Sequence, residues 1–398
     1  GFGQRFGAYG SLGKKLKGKR VLWLHAVSVG EANLAVQLVE SMQPHHRDWT
    51  FVISTITTTG MGELESKLPG DVHRVYYPID WLPFVKSAFC AINPAAIVLV
   101  EAEIWPNLFW QAKSASVPVH LVNVRLSENS FNGYRRYVFL FKPLFRSLHV
   151  AGVYNESDAE RLAELGCDHK AITVTGNMKF DGPAAPGAET TDARALLREI
   201  GVSDEAPVLV AGSTFEGEEE LLCKLLPQWR RNHPDLFLVL VPRHFERVGA
   251  VLENLKPMNL RITRRTALNA ESDTPDVLLV DTTGELKAFY EVATLVFVGK
   301  SLTAQGGQNP IEPAALGRPM VFGPFMQNFK LVVQLLLEAE AAIQVMDEAE
   351  LTQQVSVLLG NPEQCVALGT AAKTVVEENK GATQRTAELI GQTLRALS

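Results

Sequence analysis

Residues 296–324 read VFVGKSLTAQGGQNPIEPAALGRPMVFGP. The stretch opens on an apolar run, Val296, Phe297 and Val298, and passes through a polar, glycine-rich turn from Gly299 to Asn309. It restarts at Pro310 as a helix would, and it ends in a Pro-Met-Val-Phe-Gly-Pro segment that reads as the next strand. Strand, glycine loop, helix and strand form the order of a nucleotide- or phosphate-binding crossover. Gly306 and Gly307 let the backbone approach a ligand, and a helix start offers unpaired N–H groups and the positive end of a dipole. Asn309 and Glu312 lie one turn apart and share a face there. A tight βα turn explains the glycines alone, and an ordinary first-turn carboxylate explains the Glu alone. Their combination points to a ligand.

Working outward, short Val/Ile/Leu runs alternate with helical stretches. In the first half they are 21–27, 51–53, 74–78, 96–100, 117–122, 150–153 and 171–174; in the second they are 208–211, 236–241, 277–280, 295–298 and 319–322. Continuous apolar strands separated by helices indicate parallel sheets covered on both faces. Residues 181–206, which open Asp-Gly-Pro-Ala-Ala-Pro-Gly, break the pattern and read as a linker region. The expectation is an α/β chain of two Rossmann-like domains, 1–180 and 207–375, with residues 376–398 a C-terminal helix packing back on the first. Two such sheets imply a central cleft, with ligands held by loops at the C-terminal strand ends.

The totals agree with that division. A chain of 398 residues is too long for one ordinary core. Cys90, Cys167, Cys223 and Cys365 are scattered, without CxxC pairs or metal spacing. The net charge of −6 argues against nucleic acid as a partner. Its distribution is uneven: residues 1–180 carry 19 Lys/Arg against 15 Asp/Glu, and residues 181–398 carry 19 against 29. The basic half is therefore the one expected to meet an anionic partner. Arg5, Lys14, Lys15, Lys17, Lys19 and Arg20 crowd the first twenty residues with no acid among them, which suits an anionic lipid surface as well as a solvated tail. Residues 125–146 interleave Arg125, Arg135, Arg136, Lys142 and Arg146 with six aromatic residues, a pattern read as a face for an amphipathic anion or a membrane, or as a core helix with a basic outer side.

The strand-end loops of the second half are polar. Ser213 and Thr214 precede Glu218 and Glu219, Arg243 follows the next strand, and Thr283, Gly284, Glu285 and Leu286 follow another. With Gly306, Gly307, Asn309 and Glu312 they compose a nucleotide site lacking both a Walker lysine and a GxGxxG fingerprint. The first half instead places acids there: Glu31 behind Ser28 and Gly30, then Glu101 and Glu103, which alternation sends to opposite sides if the strand continues. A Glu facing the cleft suits a general base. No DxD motif occurs, so Arg243, Lys179 and the N–H groups after Gly307 are the candidates to meet a leaving phosphate.

Seven motifs in order, HAVSVGE (25–31), EAEIWPN (101–107), GNMKFDGP (176–183), AGSTFEGEE (211–219), VPRHFER (241–247), DTTGEL (281–286) and GGQNPIEPAALGRPMVFGP (306–324), closely resemble the 3-deoxy-D-manno-octulosonic acid (Kdo) transferases of Gram-negative bacteria. The resemblance implies a GT-B fold with the acceptor in the first domain and the sugar nucleotide in the second. It implies CMP-Kdo as donor, the phosphorylated, acylated lipid A precursor as acceptor, and metal-free inversion with no cofactor. Glu31 falls on the base of the SVGE motif, and Glu101 and Glu103 fall on the acidic pair before WPN. Donor contacts fall on Ser213, Arg243, Gly284, Glu285, Leu286, Asn309 and Glu312. Ser28, Gly30, Thr55, Arg125 and Arg135 are expected at the acceptor. Gln308 departs from the family's usual Gly-Gly-His-Asn. The resemblance also implies work at the cytoplasmic face of the inner membrane, and the chain starts where the apolar anchor usual in that family would end. A sugar-nucleotide epimerase of the same fold and a non-catalytic sugar-nucleotide binder remain as alternatives.

Overall fold

The structure, a computed structural model, describes residues 2–101, 104–182, 191–268 and 274–397. The chain divides into two compact units, Gly1–Ala184 with Asn379–Ser398, and Ala185–Glu378. Among the described residues each unit holds one seven-stranded sheet.

The first sheet comprises β1 (Arg20–His25), β2 (Trp49–Thr55), β3 (His73–Tyr76), β4 (Ala96–Val100), β5 (Val119–Val124), β6 (Val150–Val153) and β7 (Ile172–Val174). Their order is β3-β2-β1-β4-β5-β6-β7, parallel throughout. The continuous apolar runs follow from burial of both faces. Val21 and Trp23 pack with Val52, Val75, Ile97 and Leu99 on one side. Leu22 and Leu24, one residue out of phase, pack with Phe51, Ile53, Val98 and Val100 on the other. A side chain alternates faces at every step of a strand, so both sides select apolar residues, and the buried polar ones such as His120 and Asn123 are hydrogen-bonded.

The second face is closed by the C-terminal helix Ala382–Ala396, through Ala382, Ala387, Ile390 and Leu394. Polar bonds fix its register. The Asp181 carboxylate accepts from the N–H groups of Gly381 at 2.5 Å and Thr383 at 2.6 Å, which caps the helix start. Gln37 donates to Thr383 Oγ1 at 2.5 Å, and His120 Nε2 meets Thr393 Oγ1 at 2.9 Å.

The second sheet comprises β8 (Val208–Thr214), β9 (Phe237–Pro242), β10 (Ile262–Arg264), β11 (Val277–Leu279), β12 (Leu295–Val298), β13 (Met320–Phe322) and β14 (Ile343–Gln344). The order is β10-β11-β9-β8-β12-β13-β14, again parallel. The short edges β10 and β14 have no counterpart among the expected strands. The linker region expected over 181–206 is also too long. The helix Ala193–Glu199 belongs to the second unit, with Leu196, Leu197, Ile200 and Val202 buried, while Asp181 works inside the first. The Pro/Gly-rich opening hides this apolar spacing from a composition reading. Among the described residues no helix is long and apolar enough to cross a membrane.

Candidate functional site

In the second unit the chain steps outward from β8, then crosses to β12 on its other side. Loops after β8 and β12 therefore diverge, and such a reversal point is where open α/β sheets hold ligands. Two features bring these loops close. Gly299 has no side chain because a Cβ there would lie 2.4 Å from the Ser213 carbonyl oxygen. Glu218, fully buried at the start of the helix Glu218–Trp229, accepts four backbone N–H bonds: from Phe215 at 2.9 Å, Lys300 at 2.7 Å, Ser301 at 2.9 Å and Leu302 at 3.1 Å. One carboxylate thus ties the loop after β8 to the loop after β12.

Ser213 sits in a left-handed conformation at φ 54°, within the irregularity that ends β8. Thr214, expected at the donor, turns inward instead. It is fully buried, and its hydroxyl donates to Glu219 Oε1 at 2.9 Å. Burial raises the Glu219 carboxyl above the usual carboxylate range, against hydrogen bonds from Thr214 and Arg247 that lower it. Arg243 is exposed just after β9. Its N–H donates to the Thr214 carbonyl at 3.0 Å, and its guanidinium has no partner among the described residues. Thr283 and Gly284 are exposed, and Leu286 begins the helix Leu286–Val292. Glu285 is already engaged: its carboxylate accepts from Thr191 at 2.7 Å, Arg265 at 3.0 Å and the Thr282 hydroxyl. Burial raises that carboxyl, but these bonds outweigh it and leave it below the ordinary value.

The glycine turn is built differently from a free anion cradle. The Gly306 N–H donates to Gln327 Oε1 at 2.9 Å, and the Gly307 N–H to the Lys300 carbonyl at 2.9 Å, so the N–H groups of the two glycines themselves are used within the fold. Gly307, at φ 72°, would place a Cβ 2.5 Å from Met326 Sδ. The helix that follows, Ile311–Ala315, is one short turn. Asn309 Oδ1 accepts from the Ile311 N–H at 3.1 Å, and its amide donates to Glu312 Oε1 at 3.1 Å, so the two side chains do meet on one side.

In the first unit the reversal point lies between β1 and β4. The helix Val29–Met42 starts there with a variant of the capping box, in which the Glu31 carboxylate reaches the N–H one residue before the Ser28 cap. The Glu31 N–H donates to Ser28 Oγ at 3.3 Å; the Glu31 carboxylate accepts from Ser28 Oγ at 2.8 Å and the Val27 N–H at 2.7 Å. Glu31 is almost fully buried. Gly30 lies inside that first turn. Behind it His25 is buried, stacked on Tyr77 at 4.0 Å and edge-on to Trp105 at 5.8 Å. Burial pulls its pKa down to about 3.

β4 does not continue past Val100: Glu101 turns left-handed at φ 62°, and its carboxylate meets Lys179 Nζ at 3.1 Å. The alternation of Glu101 and Glu103 was expected only if the strand continued, and Glu103 lies outside the described residues. Lys179 is placed by Asn123, whose Oδ1 accepts from the neighbouring Met178 N–H at 2.9 Å. It is thus the partner of an acid in the first unit, not a free cation. Thr55, expected at the acceptor, is buried and donates to the Val27 carbonyl at 3.3 Å. Arg125 is half-buried and acts electrostatically on Asp158, whose carboxyl burial raises and Arg125 helps to lower. Arg135 pairs with Glu164 at 3.3 Å on the helix Glu128–Arg136. Among the described residues no group of three or more His, Cys, Asp or Glu is placed to hold a metal.

A sequence profile for 3-deoxy-D-manno-octulosonic-acid transferase (kdotransferase) matches residues 1–182. The 3-deoxy-D-manno-octulosonic acid transferase of Haemophilus influenzae is 31% identical over 394 residues, covering 97% of this chain and 90% of its own. The chain belongs to this transferase family. The Bordetella pertussis 3-deoxy-D-manno-octulosonic acid transferase is 32% identical over 93% of the chain and 86% of its own length. Among solved structures, UDP-GlcNAc 2-epimerase from Neisseria meningitidis, bound to UDP-GlcNAc, superposes with a TM-score of 0.62 at 13% identity, covering 94% of this chain and all of the other. That likeness shows the GT-B fold. As a family member the chain is a glycosyltransferase, and both strand-end sites fall on motifs that carry the resemblance.

Three groups in these sites escape a sequence reading. Glu218 reads as one acid among several in a first turn, and His25 as a strand residue. Lys300 stands inside the opening stretch and was hidden by the glycines around it. Its ammonium lies 5.0 Å from the centre of the Phe215 ring, which Arg247 also approaches, at 5.5 Å.

Proposed function

We propose that the chain transfers Kdo from CMP-Kdo to a lipid A precursor in lipopolysaccharide biosynthesis, with inversion at the anomeric carbon and without a metal or cofactor. Family membership over nearly the whole chain carries this reading. The two sites support it, one offering acids beside a helix start and the other cations around a glycine turn. In the first unit the acceptor meets Ser28, Gly30, Arg125 and Arg135. Glu31 removes the proton from the acceptor hydroxyl as the oxygen attacks C2 of Kdo. The C2–O bond to the nucleotide breaks, and its electron pair leaves on the CMP phosphate. Arg243 and the donors near it in the second unit stabilise that charge as it develops. The Val27 and Ser28 bonds hold the Glu31 carboxylate in one orientation, which suits a base that must meet a single hydroxyl.

A lipid-borne acceptor places the work at the cytoplasmic face of the inner membrane. Phe2, Phe6 and Trp81 are exposed; Phe2 packs on Phe6, and Phe6 and Trp81 both meet Phe84, in a segment whose first twenty residues are rich in Lys and Arg. On the helix Val138–Phe145, Phe139 and Leu140 are exposed, while Leu144 and Phe145 are buried. Exposed aromatic and aliphatic side chains among Lys and Arg suit an anionic lipid surface.

Incubating the protein with CMP-Kdo and tetra-acylated lipid A precursor, then weighing the acceptor by mass spectrometry, tests the proposal and counts the sugars added. An acceptor heavier by one or more Kdo residues is expected. Donor turnover that leaves the acceptor unchanged would favour an epimerase, and CMP-Kdo binding without turnover a sugar-nucleotide binder.

A further inference from the structure

Lys300 follows β12 at the reversal point of the second sheet and adopts φ 53°, a left-handed conformation that costs most side chains about 1 kcal/mol or more. Glycine would adopt it without strain, so a lysine there suggests that the side chain is used. Its backbone is held at both ends: the N–H by Glu218 at 2.7 Å, and the carbonyl by the Gly307 N–H at 2.9 Å. The stem runs beside the glycine turn, with Cε 3.6 Å from where a Gly306 Cβ would be. Across residues 299–311 it is the one charged side chain in the sequence, and Gln308 is a neutral donor. No carboxylate pairs with it among the described residues, whereas Arg247, at the same Phe215 ring, is engaged by Glu219 at 3.1 Å.

We infer that Lys300 is the cation that binds the phosphate of the nucleotide donor. This rests on the CMP-sugar reading of the second unit. The phosphate carries one negative charge while esterified to the sugar and gains a second as the C2–O bond breaks. An ammonium that pairs with no carboxylate among the described residues therefore holds the leaving group more tightly than the substrate. Phe215 keeps the stem directed along the loop after β8, since a cation over an aromatic face is attracted to it.

The test is calorimetric titration of the full chain with CMP and with cytidine, which lacks the phosphate. Lys300→Met, which keeps the stem, is expected to weaken CMP about 10- to 100-fold, as loss of a charge-assisted bond does, and to leave cytidine unchanged. Lys300→Arg is expected to stay within about threefold of the parent for CMP. An unchanged ratio of CMP to cytidine affinity in Lys300→Met would overturn the inference while leaving the CMP-sugar reading intact. Equal loss for both ligands would also overturn it, marking a structural role. Failure of the parent chain to bind CMP would remove the reading beneath it. A measurement without any variant stands alongside: acetylation of Lys300 in the parent, read by peptide mass spectrometry, is expected to be slowed by CMP and not by cytidine. Equal labelling in both would count against the assignment.

Discussion

Glu218→Ala removes the acceptor for four N–H groups at once, and its cost follows from the contacts. Hydrogen bonds to a carboxylate are each worth roughly 1.5–3 kcal/mol, so four give about 6–12 kcal/mol before relaxation. The loops that bear them reach the surface at Thr303 and Gln305, where water replaces part of the loss. The net cost should be about 3–5 kcal/mol, the range found when a buried charged group loses its partners. Glu218→Gln separates shape from acceptance. Oε1 serves Ser301 and Leu302, and Oε2 serves Phe215 and Lys300. An amide keeps one oxygen, so one pair survives while the other faces an NH2 group, and about half the cost is expected. Hydrogen exchange read by mass spectrometry isolates the effect in the second unit. Peptides covering Phe215 and Lys300–Leu302 should lose about 100-fold or more of their protection in the alanine variant, about 2.7 kcal/mol of local stability. Affinity for CMP should fall with it, because the same carboxylate holds the Lys300 backbone. Parent-like protection of these amides in Glu218→Ala would refute the account of how the two loops are joined.

Three other changes discriminate among the site assignments. Glu31→Gln keeps one acceptor oxygen of the capping box, so melting should shift little while turnover falls at least about 100-fold and CMP affinity holds; near-normal transfer would remove Glu31 as the base. Arg243→Ala should weaken CMP about 10-fold or more without loss of stability, since its guanidinium has no partner among the described residues; unchanged affinity in calorimetry would take it out of the donor site. Burial pulls His25 down to about 3 and His120 to about 4, with a backbone hydrogen bond opposing it in each. The unfolded chain binds these protons near pH 6.5, so the stability from keeping both neutral is full above pH 6.5 and is lost as pH falls toward 4. Denaturant titrations of the first unit's transition across that range should show the decline, with His120→Asn flattening it by up to about 1.4 kcal/mol per pH unit; an unaltered slope would refute the assignment.

Strand positions were legible because parallel strands buried on both faces leave short, continuous apolar runs between polar strand ends. The runs 21–27 and 96–100 became β1 and β4, since both of their faces lie in a core. β10 and β14 left no such trace: they span three and two residues at sheet edges, and their side chains are not fully buried. The location of both sites was legible too, since polar residues crowd the strand ends. The orientation of individual side chains was not, because it depends on partners far along the chain. Lys179 meets Glu101 across the first sheet, and Thr191 reaches Glu285. Thr55 and Thr214 end β2 and β8 where ligand-facing hydroxyls are expected, and both turn to backbone or acid inside the fold.

Backbone strain links the two sites more closely than residue type does. In the first unit Glu101 ends β4 and Asn123 lies in an irregularity near the end of β5; both are left-handed, at φ 62° and 56°. In the second, Ser213 lies in the irregularity that ends β8 and Lys300 follows β12, at 54° and 53°. Each of these costs about 1–3 kcal/mol in a residue that is not glycine, so each needs surroundings that hold it. For two of the four the holders are plain: Met178 and Tyr154 bind the Asn123 amide, and Glu218 and Gly307 bind Lys300 front and back. A left-handed residue at a strand end turns the next side chain out of the sheet's alternation; Glu101, Ser213 and Lys300 do so beside the points where the strand order reverses, and Asn123 one strand further along. Both units therefore use one device on unrelated side chains. That explains why the motifs of the family cluster at strand ends, and why several residues within them serve the backbone of the site and not its ligand.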